Sequence, residues 1–211
     1  MNGYRTKRLG TARLFVAFAA ALALWVGSAR ATSESASDAI RKFYDVLLRT
    51  MKTGPALGAV GRYRALQPAV AETFDLPYMT TLAVGPIWAG LSASERARVI
   101  SAFQHYTVTN YANQFDAYNG QRFRVSGEER RNTDAIVDTD IVKGDGTSVA
   151  VKYRLHSADG NWRVIDVYLD GSISQLAIRR SEFSSVLNQQ GVNGLIETLN
   201  QKADALVGPS R

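Results

Sequence analysis

Cysteine is absent from the 211 residues. That excludes a disulfide framework, a thiolate zinc or iron–sulfur site, a cysteine nucleophile and a lipid-modified N-terminal cysteine. Histidine is scarce: His105 and His156 are the only two, and neither stands in an HExxH or His-x-His arrangement of metal-binding spacing. The chain also lacks a G-x-S-x-G elbow, a G-x-x-x-x-G-K-[ST] phosphate loop and a dinucleotide fingerprint. Hydrolase and nucleotide chemistry lose their usual carriers, and no metal or cofactor is expected. Long apolar runs are missing as well. The one that exists, Leu14 to Val26, has 13 residues, short of the roughly 20 needed to span a bilayer.

Charge of one sign is lacking once it is located. The formal net charge is +6, but Arg5, Lys7, Arg8, Arg13 and Arg30 lie in the first 31 residues, which contain no acid. The other 180 residues hold 20 Lys+Arg against 19 Asp+Glu, a net of +1. Nucleic-acid binding, which needs a basic stripe, is therefore not expected.

The first 31 residues run from a basic start through the apolar segment to Gly27, Ser28 and Ala29-Arg30-Ala31. This is the order of a cleaved secretory signal, with cleavage predicted after Ala31. The expected product is Thr32–Arg211, a soluble protein exported to a bacterial periplasm.

The mature chain begins with helical periodicity. Ile40, Phe43, Tyr44, Leu47, Leu48 and Met51 share one face, with Ser37 and Asp38 as cap candidates and Gly54-Pro55 as the stop. A second helix is predicted over Val60 to Thr73, kinked or broken at Pro68. A third is capped by Asp75 and ends at Gly85-Pro86. Ser92-Ala93-Ser94-Glu95 forms a capping box for a fourth, which is predicted to stop near Asn119-Gly120.

Alternation of period two then takes over, in Phe123/Val125, in Ala135 to Ile141 and in Val149 to Leu155. Gly144-Asp145-Gly146 and Ala158-Asp159-Gly160-Asn161 are turn signals, so Trp162 to Leu169 is expected to pair antiparallel with its predecessor. That last strand is apolar on both faces, which predicts a central, covered position. Ile173 to Leu187 and Leu195 to Leu206 return to helix, divided at Gln190-Gly191. The expected fold is α+β in a single domain, with an antiparallel sheet of about four strands wrapped by N-terminal and C-terminal helices around an apolar pocket.

Few residues offer chemistry. Asp166 shares the predicted face of Trp162 and Val164, where a buried carboxylate could serve as a base in an isomerase-like enzyme acting on an isoprenoid-type substrate. The favoured reading is that it accepts hydrogen bonds from backbone amides or pairs with an arginine such as Arg179 or Arg180. The pairs Arg122/Arg124, Arg130/Arg131 and Arg179/Arg180 have the geometry for phosphate, but acids stand close in sequence to each. His105 reads as a helical histidine and His156 as a solvated one. What remains is bulk: aromatic and aliphatic side chains that either fill a core or surround a ligand, and periodicity does not separate these.

The ordered blocks carry a resemblance. Phe74-Asp75-Leu76-Pro77-Tyr78-Met79, Leu82-Ala83-Val84-Gly85, Trp88, Ser92 to Arg96, Phe103, Tyr111-Ala112 and Phe115 form the first. Asn161 to Val167, Asp170-Gly171, Ser174, Arg180 to Phe183 and Gly191 to Leu195 form the second. Together they resemble the MlaC/toluene-tolerance family of periplasmic lipid-binding proteins across nearly the whole mature chain. The run Leu169 to Ser174 and the Phe74 block look most like the hopanoid-associated HpnM branch.

The resemblance implies a lipid-binding domain over residues 32–211 that is not an enzyme. It would shuttle a hopanoid or phospholipid between an inner-membrane lipid transporter complex and an outer-membrane acceptor or donor. Face assignment offers Phe43, Leu47, Phe74, Met79, Trp88, Phe103, Val151, Tyr153 and Val164 as pocket lining. An adaptor that binds no lipid, with a solid core, is the third reading left open.

Overall fold

The computed structural model describes Met1 and residues 34–158 and 160–207. The predicted export signal and its cleavage site lie outside the described residues.

Helix α1 (Ala36–Thr73) is capped by Ser35 rather than Ser37. The Ser35 hydroxyl accepts from the Asp38 amide and the Asp38 carboxylate accepts from the Ser35 amide, a complete capping box. Ser37 is buried instead, and its amide donates to Glu128 at 2.8 Å. Gly54-Pro55 does not stop the helix. The break falls at Gly58, whose φ of 63° and ψ of 178° lie outside the helical region, a conformation that glycine adopts without a Cβ penalty. The two arms on either side of Gly58 lie against each other, Arg62 donating back to the Gly54 carbonyl at 3.1 Å. Pro68 sits inside the second arm with its missing amide on an exposed position, and the helix continues through it.

Helix α2 (Leu76–Val84) starts as predicted, the Asp75 carboxylate accepting from the Tyr78 amide at 3.0 Å. A 3-10 turn over Gly85–Gly90 leads to α3 (Ala93–Gln114), whose Ser92/Glu95 capping box is formed. This helix ends at Gln114 with Phe115 as its cap, a turn earlier than the Asn119-Gly120 signal suggests.

The sheet is a meander of strands β1 (Arg122–Arg131), β2 (Asp134–Val142), β3 (Ser148–Ala158), β4 (Asn161–Leu169) and β5 (Ile173–Ser174), in that spatial order and antiparallel throughout. It thus has five strands rather than four. The tight turn at Asp170 and Gly171, with φ of 49° and 73°, returns the chain along β4 for two residues before the last helix begins. Ile173 therefore pairs with Leu169 instead of opening that helix. Helix α4 (Gln175–Val207) is broken at Gly191, where the Gln190-Gly191 signal places it.

One irregularity redraws the faces of β4. Arg154 pairs with Asp166 but Leu155 pairs with Val164, so Ile165 is an extra, bulged residue. Beyond it the alternation is inverted. Val164 and Val167 both point inward with Leu155 and Tyr153, while Asp166 lies on the outer face with its partner Arg154, not beside Trp162 and Val164.

Nor is β4 central, since only two residues of β5 follow it. Its edge is closed from α1 and α2: Phe74 bridges to Val164, and the Asp75 amide donates to the Val164 carbonyl at 2.9 Å. The outer face of the sheet carries exposed cross-strand pairs, Arg124–Asp140, Lys152–Asp138 and Arg154–Asp134, at 2.6–3.0 Å. The inner face and the apolar stripes of α1 to α4 make one core.

An apolar cavity between sheet and helices

A cavity of about 240 Å³ opens between the inner face of the sheet and the helices. Period-two alternation supplies its floor: Val149, Val151 and Tyr153 from β3, flanked by Ile141 of β2 and by Val167 and Leu169 of β4. One face of α3 supplies a wall, Phe103, Tyr106, Thr107, Asn110, Tyr111 and Gln114 recurring at three- and four-residue steps, with Phe115 after them. Phe74 and Met79 close one side from the α1–α2 junction. Gln175, Leu176 and Arg179 close another from the first turns of α4.

The lining is graded. Phe74, Met79, Phe103, Val151 and Tyr153 are buried, whereas Gln114 and Leu169 are exposed and mark the mouth. Beside Leu169 lie the exposed Ile173, its β5 partner, and Ile178 farther along α4.

Asp166 fixes α4 where it borders the cavity. Its carboxylate accepts from the Val167 amide at 2.7 Å, the Leu176 amide at 3.0 Å and the Ser174 hydroxyl at 2.6 Å. The Ser174 hydroxyl in turn accepts from the Ala177 amide at 2.9 Å and caps the helix. Both carboxylate oxygens are occupied, and Asp166 is not part of the cavity wall. Of its two readings from sequence, the backbone-amide acceptor is the one whose contacts are present.

Arg179 is the charged side chain in the wall. It is held by Glu182 at 2.7 Å and lies over the Tyr106 ring at 5.1 Å. Burial pushes the phenols of Tyr111 and Tyr153 far above the ordinary tyrosine value, so both stay neutral. Tyr44 behind them is pushed up to about 12 by the same cause.

Of the nine residues predicted as lining, Phe74, Met79, Phe103, Val151 and Tyr153 stand together in the cavity wall. Phe43, Leu47 and Val164 are fully buried core side chains outside that wall. Trp88 sits in the 3-10 turn under the Arg96 guanidinium, 5.5 Å from its ring, and does not reach the cavity. Sequence reasoning left Tyr106, Thr107, Asn110, Tyr111, Gln114 and Phe115 out of the lining, although their spacing from Phe103 follows the helical repeat. It left out Val167 because the bulge hides its face.

His156 is not simply solvated. Its Nε2 lies 2.8 Å from the Asp75 carboxylate and Tyr78 stacks on its ring at 5.1 Å. His105 meets the Tyr63 hydroxyl at 3.2 Å. Among the described residues no group of three or more metal-ligating side chains is placed to hold a metal ion, and no helix is long and apolar enough to cross a membrane.

The sequence model of the family described as MlaC protein matches residues 41–201. Among solved structures the fold is similar to that of a phospholipid-binding protein from Ralstonia solanacearum, in complex with a phospholipid. The TM-score is 0.74 at 20% sequence identity, covering 83% of this chain and 100% of that one. No curated protein matches the chain.

Proposed function

The chain belongs to the MlaC family, and we propose that it is a periplasmic lipid carrier rather than an enzyme, holding the apolar part of a phospholipid or hopanoid in the cavity between sheet and helices. The observation that carries this reading is the cavity itself, an apolar floor and a largely apolar wall, buried at Phe74, Phe103, Val151 and Tyr153 and opening at Leu169 and Gln114. The phospholipid seen with the structurally similar Ralstonia solanacearum protein supports a ligand of this class.

The physical requirement is severe. Each buried CH₂ is worth about 0.8 kcal/mol, so a carrier that extracts a lipid must offer a comparably dry site. Phe74, Met79, Phe103, Val151 and Tyr153 offer it. General ligand pockets run from about 300 to 1,000 Å³, so at about 240 Å³ the cavity must widen to take a long chain. The helices meet the sheet through apolar contacts, and it is these that widening would have to part.

In this reading residues 1–31 are the export signal, cleaved after Ala31, and residues 32–211 are the carrier. It works between an inner-membrane lipid transporter complex and an outer-membrane acceptor or donor, and it stands nearest the hopanoid-associated HpnM branch. Phe43, packed on Phe74 and Tyr111, and Val164, bridged to Phe74, support the lining from behind or beside it.

Organic extraction of the purified exported protein followed by mass spectrometry tests the reading. Lipid is expected at a defined ratio to protein, and its class decides between phospholipid and hopanoid. Protein that emerges lipid-free and takes none from phospholipid vesicles would overturn the proposal.

A further inference from the structure

Within the lipid-carrying reading, on which this inference rests, one flank of the cavity points to the head group that the lipid carries. The α3 wall consists of two stripes at steps of four residues. Phe103, Thr107, Tyr111 and Phe115 form the first, and Tyr106, Asn110 and Gln114 the second. Gln175 and Arg179, also four apart, line the cavity from α4. Two ring contacts set how these helices pair: Phe103 meets Phe183 with centroids 5.4 Å apart, and Arg179 lies over the Tyr106 ring at 5.1 Å. The numbers rise on α3 as they fall on α4, so the pairing is antiparallel and one further turn brings Asn110 opposite Gln175. The result is a polar seam along a largely apolar cavity, with Asn110 and Gln114 on one side and Gln175 and Arg179 on the other.

The seam holds unspent hydrogen-bond donors. Arg179 carries five N–H groups in a planar fork. Among the described residues the acceptor it meets is Glu182, through Nη1 at 2.7 Å. Lys202 stands 3.9 Å from the same Glu182 oxygen, so two cations share one carboxylate. Arg179 is the more enclosed of its pair, its side chain 21% exposed against 39% for Glu182. Asn110 accepts from the Gln114 amide at 3.5 Å, and its own side-chain N–H groups donate to no described residue. Thr107, in the other stripe, spends its hydroxyl on the Phe103 carbonyl. The start of α4 contributes nothing, because the Leu176 and Ala177 amides are taken by Asp166 and Ser174.

We propose that this seam is the head-group site of the cavity and that it takes an acid group of net negative charge, a carboxylate or a phosphate, on a chain lying along Val149, Val151 and Tyr153. A guanidinium fork matches two oxygens of such a group, and Asn110 donates to it from the facing helix. A neutral hydroxyl leaves most of these donors unused, and an ammonium head meets the Arg179 cation. The acid group belongs either to a fatty acid or to an anionic phospholipid.

Dodecanoate, dodecyl phosphate and 1-dodecanol share a chain length and differ in the head, so they test the seam directly. Each is titrated at pH 8 into the delipidated exported protein by calorimetry, and uptake from phosphatidylethanolamine vesicles is measured in parallel. At least one of the acids is expected to bind about tenfold more tightly than the alcohol, and the tighter acid identifies the source. Arg179→Gln brings that ratio toward one. Arg180→Gln, next in the chain but outside the cavity wall, leaves it unchanged. Glu182→Gln releases the fork from its partner and raises it.

Equal binding of acids and alcohol, or uptake of vesicle lipid with none of the three bound, overturns the proposal and leaves the carrier reading standing. Binding of none of the three together with no vesicle uptake overturns both. An acid preference that persists in Arg179→Gln overturns the assignment to the seam. Should that variant fail to fold, Glu182→Gln decides, since a preference that it leaves unchanged or lowers also overturns the assignment.

Discussion

The inner face of one sheet is solid at one end and hollow at the other. At the Leu155 end, Leu155, Ala135 and Val164 stand in register, and Leu155 and Val164 are 0% exposed. A few residues along the same strand, Val149 and Val151 with Ile141 and Leu169 form a floor with space above it. The residue types hardly differ, being aliphatic side chains of similar size on strands of the same pleat. What differs is the opposing layer. Phe74 and Asp75 close the strand edge beside Val164 at the filled end, whereas α3 and the first turns of α4 leave space above the floor at the other, with Asp166 fixing the start of α4. A cavity in this fold is a property of spacing between elements and not of composition.

Filling and emptying the two ends separates them. Leu155→Ala removes packing at the solid end and is expected to lower stability by about 2–5 kcal/mol, read by denaturant unfolding, with little loss of bound lipid per folded protein. Equal damage to occupancy would erase the distinction.

Asp166→Asn loosens the wall of the hollow end by weakening acceptors for three donors. A cost of about 1–3 kcal/mol is expected, with faster amide exchange in the first turn of α4 than at Leu155. Exchange that rises equally at both sites contradicts the role given to this cap.

The tyrosines at the boundary respond to alkali. Tyr44, Tyr111 and Tyr153 have folded pKa values above the ordinary 10, that of Tyr44 being about 12. Between pH 10 and 12 the unfolded chain releases these protons while the folded one keeps them. Their stabilising contribution is therefore complete below pH 10 and falls as pH rises, by about 1.4 kcal/mol per pH unit for each tyrosine kept protonated. Denaturant midpoints measured from pH 9 to 11.5 are expected to show this fall, and Tyr153→Phe to make it shallower.

Val151→Phe adds bulk where space exists, so stability is expected to change by less than about 1 kcal/mol, below the usual cost of overpacking. Bound lipid in extracts is expected to drop several-fold. A large stability loss with lipid retained would mean that the hollow end is as tightly packed as the solid one.

The elements themselves were legible because their signals are local. Capping chemistry at Asp75 and Ser92, glycine turns and the two periodicities placed the helices and four long strands. The misplaced points are those settled by contacts far along the chain or by a single backbone torsion. The helix break moved from Gly54-Pro55 to Gly58 because the second arm packs back on the first. Ile173 became a strand residue because Asp170 and Gly171 turn tightly enough for it to reach Leu169.

The site was half legible. Val151 and Tyr153 follow from alternation and Phe103 from its helical stripe. Phe43 and Leu47 carry the same pattern yet lie outside this cavity's wall, and the Ile165 bulge shifts Val167 inward with no sign in the sequence.

The strictly sequential order of the meander has a kinetic side. Each long strand pairs with its neighbour along the chain, so the sheet assembles through short loops whose closure costs little entropy. The Phe74–Val164 bridge is different, since it joins residues 90 apart in the chain. Contacts of such separation slow folding, which makes docking of the helical layer onto a preformed sheet the expected late step. The hollow end has no existence before that docking, so a ligand present while the chain folds meets its site only at the last stage.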